Sequence, residues 1–128
     1  MINGKVTTSL EATIDIEVSG PNPTPEQTEA VIDTGFNGYL TLPSQLVRLL
    51  NLPLAGSRFA TLGDGSVVSL RAYHATVSWH GQNRKVLVLE GDGASLVGMS
   101  LLRGSRFSMD VVVDGDVAVE ELPLAMRP

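Results

Sequence analysis

Apolar and polar side chains alternate with a period of two along much of this chain, and glycine, proline or asparagine interrupts the alternation every few residues. That pattern restricts the chain to short strands packed around one core. Leu10, Ala12, Ile14, Ile16 and Val18 fall on one face, with Glu11, Thr13, Asp15 and Glu17 on the other. Successive strand side chains point to opposite faces, so the pattern predicts a half-buried antiparallel strand. Pro21-Asn22-Pro23-Thr24-Pro25 then forces a loop. Thr28 to Ile32 reads as a short strand running into Asp33-Thr34-Gly35-Phe36, Asn37-Gly38 as a turn, and Tyr39 to Leu42 as a further strand.

Helical spacing is confined to two places. Ser44 to Leu50 carries Leu46, Val47, Leu49 and Leu50 as an apolar stripe and is stopped by Pro53. A helical turn is expected around Met99 to Arg103. Strand patterning resumes elsewhere. Arg58 to Leu70 reads as a hairpin tipped by Gly63-Asp64-Gly65, because Asp-Gly favours tight turns. Tyr73, Ala75, Val77 and Trp79 alternate up to His80-Gly81, and Val86 to Leu89 return as the partner strand. Leu96-Val97 is a short apolar strand. Phe107 to Val113 and Val117 to Val119 form a hairpin around Asp114-Gly115, with Leu122 to Pro128 as a loose tail. Seven or more short strands with so little helix predict an all-β sandwich or barrel. A length of 128 residues predicts a single domain, 1–128.

Composition narrows the chemistry. The chain has no cysteine, which removes disulfides, thiol nucleophiles and thiolate metal sites. His74 and His80 lack a third ligand nearby, so no metal and no cofactor is expected. Asp110, Asp114 and Asp116 do not have calcium-loop spacing and read as solvated turn acids. Gly91-Asp92-Gly93 lacks the spacing of a phosphate-binding loop. Nine Lys and Arg stand against 14 Asp and Glu, a net charge of −5 with no basic stripe, which argues against nucleic acid and anionic membrane as partners. No apolar run approaches the roughly 18 residues of a membrane span. Met1 to Gly20 has no leader-like hydrophobic stretch, so the expected location is cytoplasmic. Hydrolytic chemistry, if present, falls to carboxylates or hydroxyls, and no serine sits in a nucleophile-elbow setting.

One carboxylate is placed for such work. Val31 and Ile32 deliver Asp33 to the end of a buried strand, and Gly35 lets the chain turn where backbone amides can aim the carboxylate. Asp-Thr-Gly alone arises by chance in on the order of a few per cent of chains this long and then reads as an Asx-type turn. Here a glycine-tipped hairpin, Thr61 to Val67, follows it, and later Leu96-Val97-Gly98 opens a short helix.

That order of strand, Asp-Thr-Gly, glycine-tipped hairpin, apolar-apolar-Gly and short helix resembles the retropepsin-like aspartic proteases. It is most similar to their single-domain bacterial and archaeal branch, whose motif often reads Asp-Thr-Gly-Phe, as Asp33 to Phe36 do. The resemblance covers roughly Leu10 to Val119. It implies a single-lobed, closed acid-protease-like β-barrel of short strands with one or two short helices. It further implies that Asp33 is the catalytic aspartate, that the Gly35 amide holds its carboxylate, and that Thr34 makes a threonine-to-threonine contact between the two halves of the site. Leu62, Gly63, Asp64 and Gly65 would belong to a flap over bound peptide, with Phe36, Tyr39 and Leu62 offering apolar surface to substrate side chains. Leu96, Val97 and Gly98 would brace the catalytic loop. Phe36 replaces the small residue usual in the viral members, and Met99-Ser100 stands where they carry an arginine followed by a polar or acidic residue.

Peptide hydrolysis by carboxylates needs one base and one acid, and this chain has one Asp-Thr-Gly. The expected enzyme is therefore a homodimeric aspartic endopeptidase acting on peptide or protein, with Asp33 contributed by each subunit. By resemblance, Met1 to Thr8 and Val117 to Pro128 are its intersubunit strands. The alternative is a non-catalytic dimeric peptide-binding or scaffolding domain of the same fold, and a third reading is an unrelated barrel in which Asp-Thr-Gly is coincidental.

Overall fold

A computed structural model describes residues 1–61 and 63–127 of the chain. Ten strands occupy most of it, in chain order β1 (Ile2–Val6), β2 (Ala12–Ser19), β3 (Glu26–Ile32), β4 (Leu40–Pro43), β5 (Leu54–Thr61), β6 (Val67–Trp79), β7 (Gln82–Gly91), β8 (Ser95–Val97), β9 (Ser105–Met109) and β10 (Asp116–Glu121). Two short helices, α1 (Ser44–Leu49) and α2 (Met99–Leu102), and a 3-10 turn at Leu124–Met126 complete it.

Strand pairing closes a barrel. β2 pairs with β3, β3 with β8, β8 with β4, β4 with β7, β7 with β6, and β6 returns to β2 through Val18↔Val77. Closure removes sheet edges and gives the inward side chains a common interior. Ile14, Ile16 and Val18 of β2 meet Leu40, Leu42, Val77, Val88 and Val97 there, all essentially buried. The chain thus has the closed all-β barrel with two short helices that the patterning and the resemblance lead one to expect.

Two sheet segments extend beyond the ring. β5 pairs only with β6, forming a hairpin whose strands meet last at Thr61↔Val67. On the other side β1 pairs with both β2 and β10, and β10 pairs with β9. The strands expected to bridge subunits, within Met1 to Thr8 and Val117 to Pro128, therefore pair with one another inside one chain. β9 is left as the outer edge.

Three local readings need correction. Leu10 is half exposed at φ +62° and forms a turn ahead of β2, its amide bonded to Thr7 O, so it does not join the buried face. Val111, Val112 and Val113 are exposed and form no strand. Val6 N donates to Gly115 O and Asp114 N donates to Val6 O, so the expected turn residues extend the pairing with β1 and the valines are displaced into a loop. In α1 the stripe buries Val47 and Leu50, whereas Leu49 points to solvent.

Candidate active site

Asp33 is the first residue after β3, and its placement follows from which strand fills the gap between β3 and β4. β8 inserts there, parallel to β3 (Ile32↔Val97) and antiparallel to β4 (Leu40↔Val97). The chain from 33 to 39 must therefore loop over the end of β8. Asp33 N donates to Val97 O at 2.9 Å, so the backbone of the aspartate is fixed by the strand beneath it. The loop then turns through Phe36 N to Asp33 O at 3.1 Å.

The carboxylate is fixed by its own turn. Gly35 N donates to Asp33 Oδ1 at 2.9 Å, an Asx-type bond that holds one oxygen and leaves the other for chemistry. Asp33 is half-buried and Thr34 is exposed, its hydroxyl making no hydrogen bond among the described residues. The carboxyl group thus sits on a support fixed by backbone hydrogen bonds.

Gly98 makes that support possible. A Cβ there would collide with the carbonyl oxygen of Gly38 and lie 2.6 Å from Phe36 Cδ2 and 2.8 Å from Phe36 O, so only glycine fits. Gly98 N donates to Tyr39 O, Met99 N to Phe36 O at 2.8 Å, and Ser100 N to Gly38 O, with Ser100 Oγ donating to Asn37 O. Leu96 N donates to Thr41 Oγ1 at 3.1 Å. Val97 and Gly98 are thereby brought against the Asp33 loop from below, while Leu96 is held between β3 and β4. The residues that sequence reasoning missed are Gly38, Asn37, Thr41 and Ser100. Their signal is spatial, since they are the acceptors and donors that fasten the loop to β8 and α2.

The Phe36 ring lies across Gly38, where a Cβ would come within 2.5 Å of Cζ, and against Gly98, while Phe36 as a whole is half-buried. One face of the ring therefore braces the loop. Tyr39 packs against the core, beneath the guanidinium of Arg84 at 5.9 Å from the ring centroid.

The glycine-tipped hairpin is the most exposed part of the candidate site. Asp64 Oδ1 accepts from Ser66 N at 2.9 Å and from Ser66 Oγ at 2.6 Å, and Gly65 adopts φ +86°. The Ser66 hydroxyl and amide hold the Asp64 carboxyl below its usual range. Gly63, Asp64 and Gly65 touch neither Asp33 nor its loop by hydrogen bond, and Leu62 lies outside the described residues. On the strands behind the tip, Phe59 is 83% exposed and Val67 is 62% exposed.

Among the described residues no three His, Asp or Glu side chains converge as a metal site would need, and no helix is long and apolar enough to cross a membrane. His74 is exposed on β6, while His80 sits in the β6–β7 turn with Nε2 2.8 Å from Ser105 Oγ.

Comparison with solved structures finds the same architecture elsewhere. A retropepsin-like aspartic protease from Rickettsia conorii superposes with a TM-score of 0.52 at 18% identity, covering 94% of this chain and 89% of that one. The EIAV protease, solved in complex with the inhibitor HBY-793, superposes with a TM-score of 0.51 at 21% identity, covering 72% of this chain and 85% of that one. No protein-family model matches the chain, and no curated protein matches it in sequence. The fold is retropepsin-like.

Proposed function

We propose that this chain, with its retropepsin-like fold, is an aspartic endopeptidase that works as a homodimer, two Asp33 carboxylates sharing one site. The observation that carries the reading is the Asp33 turn. A half-buried carboxylate, one oxygen held by the Gly35 amide, ends a strand whose neighbour supplies a glycine-only brace. Peptide binding without catalysis needs no carboxylate at that place.

One carboxylate cannot both take a proton from water and give one to the leaving amine in a single step. Across a two-fold axis the second Asp33 would come from another copy. Carboxyls about 3 Å apart cannot both ionise, as is established for aspartic-protease dyads, so the pair shares a proton. The ionised member removes a proton from water as that water attacks the peptide carbonyl. The protonated member polarises the carbonyl oxygen and then protonates the leaving nitrogen. Titration belongs to the pair.

The free edge of β9 supports a specific mode of pairing. β1 and β10 have sheet neighbours on both sides, so a strand from a second copy would add antiparallel at β9. β9 follows α2 almost directly, and α2 is bonded to the Asp33 loop, so this edge is linked to the loop through a short stretch of chain. The β5–β6 hairpin, with Phe59 and Val67 bare, would close over bound peptide.

The test is Asp33→Asn. It should keep the circular dichroism spectrum and the dimer mass of the parent while abolishing cleavage of casein or a peptide library. A variant that digests as well as the parent removes Asp33 from the reaction.

A further inference from the structure

Behind the brace, on a wall that excludes Asp33 to Phe36, lies a cavity of about 670 Å³. Arg84 of β7, Arg103 after α2 and Arg127 beyond the 3-10 turn all line it, with Tyr39, Trp79 and His80. The convergence runs against composition, because acids outnumber Lys and Arg in this chain and Glu121 is the one acidic side chain among the described residues of the wall.

Among the described residues, two buried side-chain polar atoms have no hydrogen-bond partner, Trp79 Nε1 and Arg127 Nε. Both are N–H donors that cannot accept, and both are shielded from solvent, although their residues contribute other atoms to this wall. Trp79 is 3% exposed, so its indole cannot turn to bulk water. Arg84 reaches Leu101 O at 3.4 Å, and Arg127 reaches Glu121 Oε2 at 3.5 Å. Both contacts are at the long limit for a hydrogen bond, which leaves most of each fork uncommitted. Buried polar groups in folded proteins are almost always satisfied, and a guanidinium fork fits a carboxylate or phosphate.

We propose that this cavity binds a small organic anion through a carboxylate or phosphate group held between Arg84 and Arg127, with Trp79 in the wall beside them. The volume lies within the range of small-molecule sites and exceeds what a bare ion fills. The proposal is independent of the peptidase reading.

Trp79 is the single tryptophan, so its intrinsic fluorescence reads the site directly. The full-length protein is titrated with citrate and, separately, with inorganic phosphate, each against sodium chloride of matched ionic strength. A saturable change in emission is expected with at least one of them; citrate alone would indicate a carboxylate ligand, phosphate alone a phosphorylated one. Arg84→Gln and Arg127→Gln should each weaken binding by about tenfold or more. Asp33→Asn and Arg48→Gln, which lie outside the cavity, should bind as the parent does. Should an arginine variant misfold, the thermal midpoint of the parent remains a readout and should rise with the same probe. Responses to both probes no different from sodium chloride would overturn the proposal, as would saturable binding left unchanged in both arginine variants.

Discussion

A Cβ on Gly98 would lie 2.6 Å from Cδ2 of the Phe36 ring, so the ring of one residue fills the space that any side chain at the other would need. The two are far apart in sequence and meet because β8 inserts between β3 and β4. The Asp33 loop is therefore wedged from below, and its stiffness is a property of that contact.

Gly98→Ala should consequently destabilise the protein by about 3 kcal/mol, since the new methyl meets the Gly38 carbonyl as well as the ring and neither can withdraw. Urea unfolding reads this as a lowered midpoint with unchanged slope. A midpoint equal to the parent's would show that the loop is not held as described.

Phe36→Ala removes the wedge and should cost about 2 kcal/mol, below the value for a fully buried ring because Phe36 is half-buried. Proteolytic activity should fall further than stability accounts for, as the loop that carries Asp33 loosens. Activity that tracks only the folded fraction would contradict this. Phe36→Leu should recover most of both.

In the β5–β6 hairpin the two glycines should behave differently. Gly65 sits at φ +86°, so Gly65→Val carries backbone strain of about 1–2 kcal/mol. Gly63 has open space around it and no such φ, so Gly63→Ala should be tolerated. If the hairpin closes over peptide, Gly65→Val raises KM while leaving the far-ultraviolet spectrum unchanged. Equal kinetics in both variants would remove the tip from substrate binding.

His80 gives the fold a pH dependence of defined sign. Burial lowers its pKa below the ordinary value of about 6.5; Glu121 opposes this, and the amino terminus, Arg127 and Arg84 add to it. The unfolded chain binds the proton more readily, so this contribution to stability is fully present above the unfolded pKa. It is lost as pH falls from there through the folded pKa. His80→Asn should flatten that window, and asparagine suits the φ of +51° at this position. Thermal midpoints between pH 5 and 8 provide the check, and an unchanged slope in the variant contradicts it.

Much of this was legible in the chain because it is local. Ala12 to Val18 alternates with the strand period, so its buried face could be read directly, and Asp33-Thr34-Gly35 carries its own turn chemistry. Long-range pairing was not legible. Nothing local tells Val97 to lie beside both Ile32 and Leu40, or Val18 to close the ring on Val77. Val111 to Val113 have the composition of a strand, and only the claim of Val6 on Asp114 and Gly115 keeps them out of one. β1 could be read as a strand only by resemblance, because Asn3-Gly4 sits within it and its patterning is weak; its pairing with β10 supplies what propensity lacks. Arg84, Arg103 and Arg127 come from three separate elements, so their shared cavity has no signature in sequence.

The account depends on two copies building one site, and subunit mixing tests that directly. Parent and Asp33→Asn protein are unfolded together, refolded at varied ratios, and assayed at constant total protein. If each site needs Asp33 from both subunits, activity falls as the square of the parent fraction, to about one quarter at equal mixing. A linear fall to about one half would mean that each chain works alone, and the shared-site account would be wrong.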